Sequence, residues 1–111
     1  MSFTGKEGAE ISIEEAKAMI GRYRTKYATK AGSSEPSNRI YCVTGREIVE
    51  KILAQEGCVG IRTYFTEADD GMLDIVMTGV DKDQNDLTNV IANHSVGKPP
   101  LGDGGRLIID E

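Results

Sequence analysis

Two stretches in the middle of the chain alternate between apolar and polar side chains, and this pattern constrains the fold more than any other feature. The first covers residues 59–66 and the second covers residues 72–80. Between them, Glu67–Gly71 ends in Asp-Gly, a dipeptide favoured in hairpin turns. Alternation with a period of two is typical of strands that bury one face. The sequence therefore predicts an antiparallel hairpin whose apolar face has to be covered.

Two amphipathic helices are predicted ahead of the hairpin. Ser12 and Glu15 have capping-box spacing, and the apolar residues behind them recur every three or four positions, which predicts a helix over 13–28. A second capping-box pattern starts at Thr44 and predicts a helix over 45–55. We expect these two helices to cover the apolar face of the hairpin. The predicted fold class is α+β, with two helices from the N-terminal half packed on a small, mainly antiparallel sheet centred on the 59–66/72–80 hairpin.

The remaining segments carry weaker patterns, and a chain of 111 residues is expected to form a single domain over residues 1–111. We expect a loose arm at residues 1–10 and a mobile loop at residues 29–38. A second loop, rich in Gly and Pro, is expected at residues 95–106. A short apolar run predicts a strand over residues 39–44, and another predicts an edge strand at Leu107–Ile109. Leu87, Val90 and Ile91 are spaced as one helical turn.

Composition and charge narrow the class of protein. Hydrophobic residues make up 39% of the chain and the net charge is -5. No apolar run approaches the roughly 18 residues of a membrane span, and no export signal is evident, so we expect a cytoplasmic protein with no membrane partner. Two cysteines form no disulfide framework and are expected to be reduced there.

A basic stripe on the first predicted helix is the one feature that favours nucleic acid. Arg22, Lys26 and Lys30 follow one another at four-residue spacing beside Tyr23 and Tyr27. Cations near a helix C-terminus also interact favourably with its exposed carbonyl groups, and that role explains the same residues. Because an acidic chain repels phosphate at long range, nucleic acid is not the expected partner.

An acidic turn after the second hairpin strand resembles the opening of a calcium loop. Asp81, Asp83 and Asn85 occupy alternate positions, as the first three ligands of such a loop do. However, Asp86 stands where the loop needs Gly, and Ala92 stands where a bidentate Glu belongs. The favoured interpretation is a solvated turn, so no metal and no cofactor are predicted.

Cys58 and His94 form the candidate pair for chemistry. A thiol beside an imidazole can act as a nucleophile, provided that a third group orients the ring. Together with Asp81 they define one hypothesis, a small-ligand-binding protein or an enzyme with these three residues around one pocket. No catalytic set is complete in the sequence, which favours a protein that is not an enzyme.

Three blocks of the chain resemble a family of small bacterial proteins of the Bacteroidetes type whose function is not established. The blocks are residues 13–17, residues 48–62, and the runs 79–81 and 85–87 together with the late Pro99-Pro100. The resemblance implies a stand-alone cytoplasmic bacterial protein and implies no activity. Members of that family often carry cysteines on both sides of the Pro-Pro, whereas Lys98 and Leu101 flank it in this chain. This departure weakens any thiol or metal role.

The favoured function is a non-catalytic binding or protein-interaction module. Arg62 and Tyr64 alternate with the apolar residues of the first hairpin strand and therefore share its other face. Arg and Tyr are enriched at the energetic centres of protein interfaces. An edge of a small sheet also invites pairing with a second copy, so the predicted partner is another protein or a homodimer mate. The alternative is that Arg62 and Tyr64 form an ordinary solvated sheet face.

Overall fold

The predicted helices and hairpin are present in the structure, a computed structural model that describes residues 2–27 and 38–93. The three strands form one antiparallel sheet in the order β1-β2-β3, which confirms the α+β class. Within the described residues, no helix has the length and apolar character that crossing a bilayer requires. The elements are α1 (Ile13–Tyr27), α2 (Arg46–Leu53), β1 (Gly60–Glu67), β2 (Leu73–Val80) and β3 (Asp86–Asn93).

Contacts divide the chain into two compact units. The sheet unit contains the described residues 2–8 and 43–93, and therefore α2 and all three strands. The helix unit contains the described residues 9–27 and 38–42, and therefore α1. The single domain over residues 1–111 stays a prediction. Lys30, His94, most of the 29–38 loop, the 95–106 loop and the Leu107–Ile109 strand lie outside the described residues.

The hairpin forms almost where the alternation predicts it. Gly60 of β1 lies opposite Val80 of β2 at one end of the ladder, and Glu67 lies opposite Leu73 at the other. In the turn that joins these strands, Gly71 takes a positive φ of 84°, a conformation that glycine adopts without steric cost. Both strands begin and end within one residue of the expected positions.

The prediction of a helical turn at Leu87, Val90 and Ile91 is wrong, because these residues belong to β3. Leu87 lies opposite Gly79, whereas Ile91 lies opposite the adjacent residue Thr78, so β3 carries extra residues at this irregularity in the ladder. The extra residues interrupt the period of two. They produce the spacing of three and four that suggested a helix.

The predicted strand over 39–44 is also wrong. Among the described residues of this segment, Val43 alone forms an isolated bridge and the others have no ladder. At Arg39, side chains bond both backbone groups. The Tyr23 hydroxyl donates to the Arg39 carbonyl oxygen at 2.9 Å, and the Arg39 amide donates to the Asn38 side chain at 2.8 Å. β-forming residues favour a strand only where a neighbouring strand offers a ladder, and among these described residues the pairing is limited to the Val43 bridge.

The core of the sheet unit lies between α2 and one face of the sheet. Ile52 of α2 is fully buried and contacts Met77 of β2 and Ala92 of β3. Partly buried apolar residues surround this cluster, namely Ile48, Val49, Ile61, Ile75 and Val90. They come from α2 and all three strands, so α2, one of the two helices predicted as the cover, lies over this face of the sheet.

The two helices begin differently. At α1 the Ser12 hydroxyl accepts a hydrogen bond from the Glu15 amide at 3.1 Å, which confirms the predicted cap. At α2 the capping residue is Gly45 and makes no side-chain cap bond, so the cap predicted at Thr44 is wrong. None of the side chains of α1 is fully buried.

The start of the N-terminal arm contacts β1 and the turn after β2, on the sheet face opposite α2. The Phe3 amide donates to the Lys82 carbonyl oxygen at 2.7 Å. The Phe3 ring lies so close to Gly60 that a Cβ atom at that position would be 2.5 Å from the ring. The missing side chain of Gly60 therefore makes room for the ring at this end of β1.

Gly79→Ala should destabilise the sheet unit, because the added methyl group would lie 2.9 Å from the Cys58 sulfur and 3.4 Å from Ile52. The Gln55 amide nitrogen would also lie 2.9 Å away, and the fully buried Ile52 cannot move aside without disturbing the core. We expect the free energy of unfolding to fall by about 1–3 kcal/mol, as overpacking typically costs. Urea denaturation followed by circular dichroism measures this change.

Gly21→Ala is the matched control. A Cβ atom at Gly21 meets nothing within 4 Å, and the position is inside α1. Alanine there should leave stability unchanged or raise it by about 0.5–1 kcal/mol, since alanine is the better helix former. A Gly79→Ala protein as stable as wild type would show that the packing around Cys58 is looser than described.

Candidate functional site

A cluster of polar side chains spans all three strands on the sheet face opposite α2. At its centre, the Asp86 carboxylate of β3 accepts hydrogen bonds from three side chains. Arg62 Nη1 lies 2.8 Å from Oδ1, the Thr78 hydroxyl lies 3.0 Å from Oδ1, and the Tyr64 hydroxyl lies 2.5 Å from Oδ2. We call these four residues the Asp86 cluster. It contains both residues, Arg62 and Tyr64, that the sequence marks as interface candidates.

The strand register explains why these side chains meet. Arg62 lies opposite Thr78 in the β1–β2 ladder, and Asp86 lies opposite Val80 in the β2–β3 ladder. Alternate residues of a strand point to the same face, so Thr78 and Val80 lie on one face of β2. Their cross-strand partners, Arg62 and Asp86, point to that same face. Tyr64 is two residues from Arg62 and joins them. The cluster therefore connects the two outer strands across the central one.

Arg62 also connects the cluster to the turn between β2 and β3. Its Nη2 atom donates to the Gln84 carbonyl oxygen at 3.1 Å. Gln84 has a positive φ of 64°, which is uncommon for a residue other than glycine. Arg62 thus holds the turn in a conformation that the backbone alone disfavours, and Asp86 holds Arg62.

The charges within the cluster stabilise one another. The Tyr64 hydroxyl, followed by Thr78 and Arg62, lowers the pKa of Asp86 below that of an ordinary aspartate. The pKa of Arg62 is raised, first by its contact with Tyr64 and then by the charge of Asp86. Asp86 is therefore a carboxylate at neutral pH. Because its oxygens already accept three hydrogen bonds, it is poorly suited to act as a general base.

The first carboxylate of the acidic turn accepts hydrogen bonds from the turn itself. Asp81 Oδ1 accepts hydrogen bonds from the amides of Asp83 and Asn85, each at 2.9 Å. These bonds, chiefly the one from Asn85, lower the pKa of Asp81. In the described part of the chain, no three His, Cys, Asp or Glu side chains are grouped to hold a metal ion. Asp81 therefore stabilises its own turn.

Cys58 packs against the sheet at the end of the segment that follows α2. Its thiol donates to the Gly60 carbonyl oxygen at 3.3 Å, and its sulfur lies over Gly79. His94, the other half of the predicted pair, lies outside the described residues. Asn93, which precedes His94, lies opposite Val76. Val76 is three residues from Gly79 along β2, a distance of about 10 Å. The ladder thus separates Cys58 from the end of β3.

The basic residues of α1 lie beside its aromatic residues, as the spacing predicts. The Lys26 ammonium lies 5.6 Å from the centre of the Tyr27 ring, and the Tyr23 and Tyr27 rings are 5.8 Å apart. The Tyr23 hydroxyl is bonded to the backbone of residue 39. Tyr27 is exposed, whereas Tyr23 is held within the helix unit.

An exposed aromatic residue is the feature that the sequence analysis missed. Phe65 of β1 is 81% exposed although it belongs to the apolar face of the hairpin. The reason is length. The 8 residues of α2 extend about 12 Å, whereas the 8 residues of β1 extend about 26 Å, so α2 spans only part of the sheet. Comparing these lengths would have predicted that part of the sheet is uncovered, but not which part.

The uncovered end forms a small apolar surface, which we call the Phe65 patch. It consists of Phe65, the half-buried Ile75 directly opposite it on β2, and the exposed Thr63 two residues before it on β1. All three side chains point to the α2 side of the sheet. β1 is an outer strand of the sheet, so the patch lies at its margin.

Comparisons of the chain with protein-family models, with curated proteins and with solved structures find no match. The resemblance to the Bacteroidetes-type family therefore stays a prediction.

Replacing Asp86 by asparagine should remove a stabilisation that depends on pH. A carboxylate whose pKa is lowered in the folded state stabilises that state above its unfolded pKa of about 3.9. This contribution disappears as the pH falls through the folded pKa. We expect wild type to exceed Asp86→Asn in unfolding free energy by a constant amount at pH 5–7, and by a shrinking amount below about pH 4. Urea denaturation at a series of pH values measures the difference.

Asp83→Asn is the matched control for that series. It makes the same chemical change three residues away, at an exposed side chain outside the Asp86 cluster. It should lack the acid-dependent difference from wild type. If the Asp86→Asn difference stays constant or grows as the pH falls, Asp86 does not stabilise the fold as a carboxylate.

Proposed function

We propose that this chain is a non-catalytic protein-interaction module that binds its partner through the Phe65 patch. The exposure of Phe65 carries the proposal. Burying a phenylalanine side chain contributes about 1.5–3 kcal/mol, which the chain does not gain by itself at this position. The proposed partner is a second protein that offers an apolar pocket for the ring. A bacterial, cytoplasmic setting belongs to the same proposal and rests on the family resemblance.

The rigidity of β1 supports this function. Arg62 and Tyr64 lie on the same strand as Phe65 but point to the other face, where they bind Asp86. These bonds attach β1 to β3 across the sheet and hold the backbone on either side of Phe65. A rigid anchor loses less conformational entropy on binding than a mobile one. In this proposal Arg62 and Tyr64 position the contact residue rather than make the contact.

The state of the polar side chains also favours binding over catalysis. Asp86 and Asp81 accept hydrogen bonds from their own neighbours, and the Cys58 thiol donates to a backbone carbonyl. A general base or a nucleophile needs a free lone pair directed at substrate. The Phe65 patch, by contrast, presents an aromatic side chain of the kind that anchors protein interfaces.

Site-specific photocrosslinking tests the proposal. A photoreactive phenylalanine analogue replaces Phe65 in the full chain, which is then irradiated in extract of the cells that make the protein. We expect a discrete adduct with another protein that depends on irradiation. Excess unlabelled wild-type chain should compete it away, whereas excess Phe65→Ser chain should not. An adduct with a second copy of the chain would overturn the proposed partner, because it would show that the Phe65 patch mediates self-association.

A label at Ile91 provides the matched control. Ile91 is 55% exposed on β3 and lies opposite Thr78, so it points to the other face of the same sheet. The proposal is wrong if both labels give the same adducts, if Phe65 gives none, or if Phe65→Ser competes as well as wild type.

Phe65→Ser should leave the folded state intact, which makes it a usable competitor. Because the side chain is mostly exposed, we expect the free energy of unfolding to change by no more than about 0.5 kcal/mol. Urea denaturation checks this expectation. A larger loss would mean that Phe65 supports the fold, and the competition experiment would then need Phe65→Leu, which keeps an apolar side chain but removes the ring.

A further inference from the structure

One stripe of α1 combines both signs of charge with an exposed apolar residue. Glu15, Met19, Arg22 and Lys26 are spaced by four, three and four residues, which places them on one side of the helix. All four are exposed, and Met19 is 53% exposed. We call them the Met19 stripe. Its acidic end is at the N-terminus of α1 and its basic end is at the C-terminus.

The charges of this stripe have no ion-pair partner in the described part of the chain. The ion pairs found there join Arg46 to Glu50 and Arg62 to Asp86, and both belong to the sheet unit. In addition, α1 has no fully buried side chain, although helices in proteins gain most of their stability from packing. The stripe therefore has unused capacity for both charge pairing and apolar contact.

We propose that the Met19 stripe binds the same stripe of a second copy, with the two helices antiparallel. A twofold axis between positions 20 and 21 makes the stripe complementary to itself. Glu15 and Lys26 lie equally far from this axis, as do Met19 and Arg22. Each Glu15 then faces the partner subunit's Lys26, and each Met19 packs against the methylene stem of the partner subunit's Arg22.

Charge complementarity favours a second copy over other partners. Acidic residues in the first turn and basic residues in the last also suit the helix dipole, but the dipole does not require them on one side with Met19. A phosphate backbone would meet Glu15 at one end of the stripe, and the chain as a whole is acidic. An antiparallel copy offers the opposite charge at both ends of the stripe.

A charge-exchange experiment tests the pairing. Glu15→Lys and Lys26→Glu are made as separate variants of the full chain, and self-association is measured by sedimentation velocity at low salt. Each variant alone places like charges opposite each other in both symmetric pairs. We expect its association to be at least about tenfold weaker than that of wild type. An equimolar mixture restores opposite charges at both ends, so mixed dimers should form with near wild-type affinity.

Four further measurements complete the test: two variants, a salt series and nuclease treatment. Glu14→Lys makes the same charge change one position off the stripe and should retain association, whereas added salt should weaken association of the wild-type chain. Phe65→Ser should also retain it, which separates this inference from the proposed function. The inference is overturned if wild type stays monomeric, if the mixture fails to associate, if Glu14→Lys or Phe65→Ser abolishes association, or if nuclease treatment removes it.

Discussion

The sheet unit depends on the contact between Ile52 of α2 and the central strand. Ile52 is fully buried against Met77 and Ala92, and it reaches the sheet at Gly79, where the absence of a side chain lets α2 and Cys58 approach. An isolated sheet of three strands needs such a cover for one of its faces. The approach at Gly79 fixes which part of the sheet is covered. It also determines that Phe65, at the far end, is not.

The opposite face of the sheet is stabilised by polar contacts. The Asp86 cluster connects both outer strands through one carboxylate and extends through Arg62 to the turn after β2. The four side chains of the Asp86 cluster therefore bind one another, although the sequence suggests that they contact solvent or a partner. β1 therefore has the core under α2 on one face and a polar network on the other. A strand held in this way is suited to present one exposed aromatic residue.

Particular residues show how far sequence reasoning extends in this protein. The hairpin and both helices follow from local periodicity, which depends only on backbone geometry. β3 was missed because extra residues near Leu87 break the period of two, and such an irregularity depends on the partner strand. The 39–44 strand was predicted in error because β-forming residues favour a strand only where a neighbouring strand offers a ladder, and in this described segment only Val43 forms a bridge.

The candidate site divides in the same way. The sequence alone determined that Arg62 and Tyr64 share a face of β1 and that Asp81 ends a strand in an acidic turn, since spacing along one segment decides both. Only the tertiary structure decided that Asp86, twenty-four residues from Arg62, binds both of them, and that Phe65 is exposed. Contact across strands depends on register and exposure depends on where a helix ends above the sheet. Neither quantity is encoded within a single segment, so both emerge only when the segments pack.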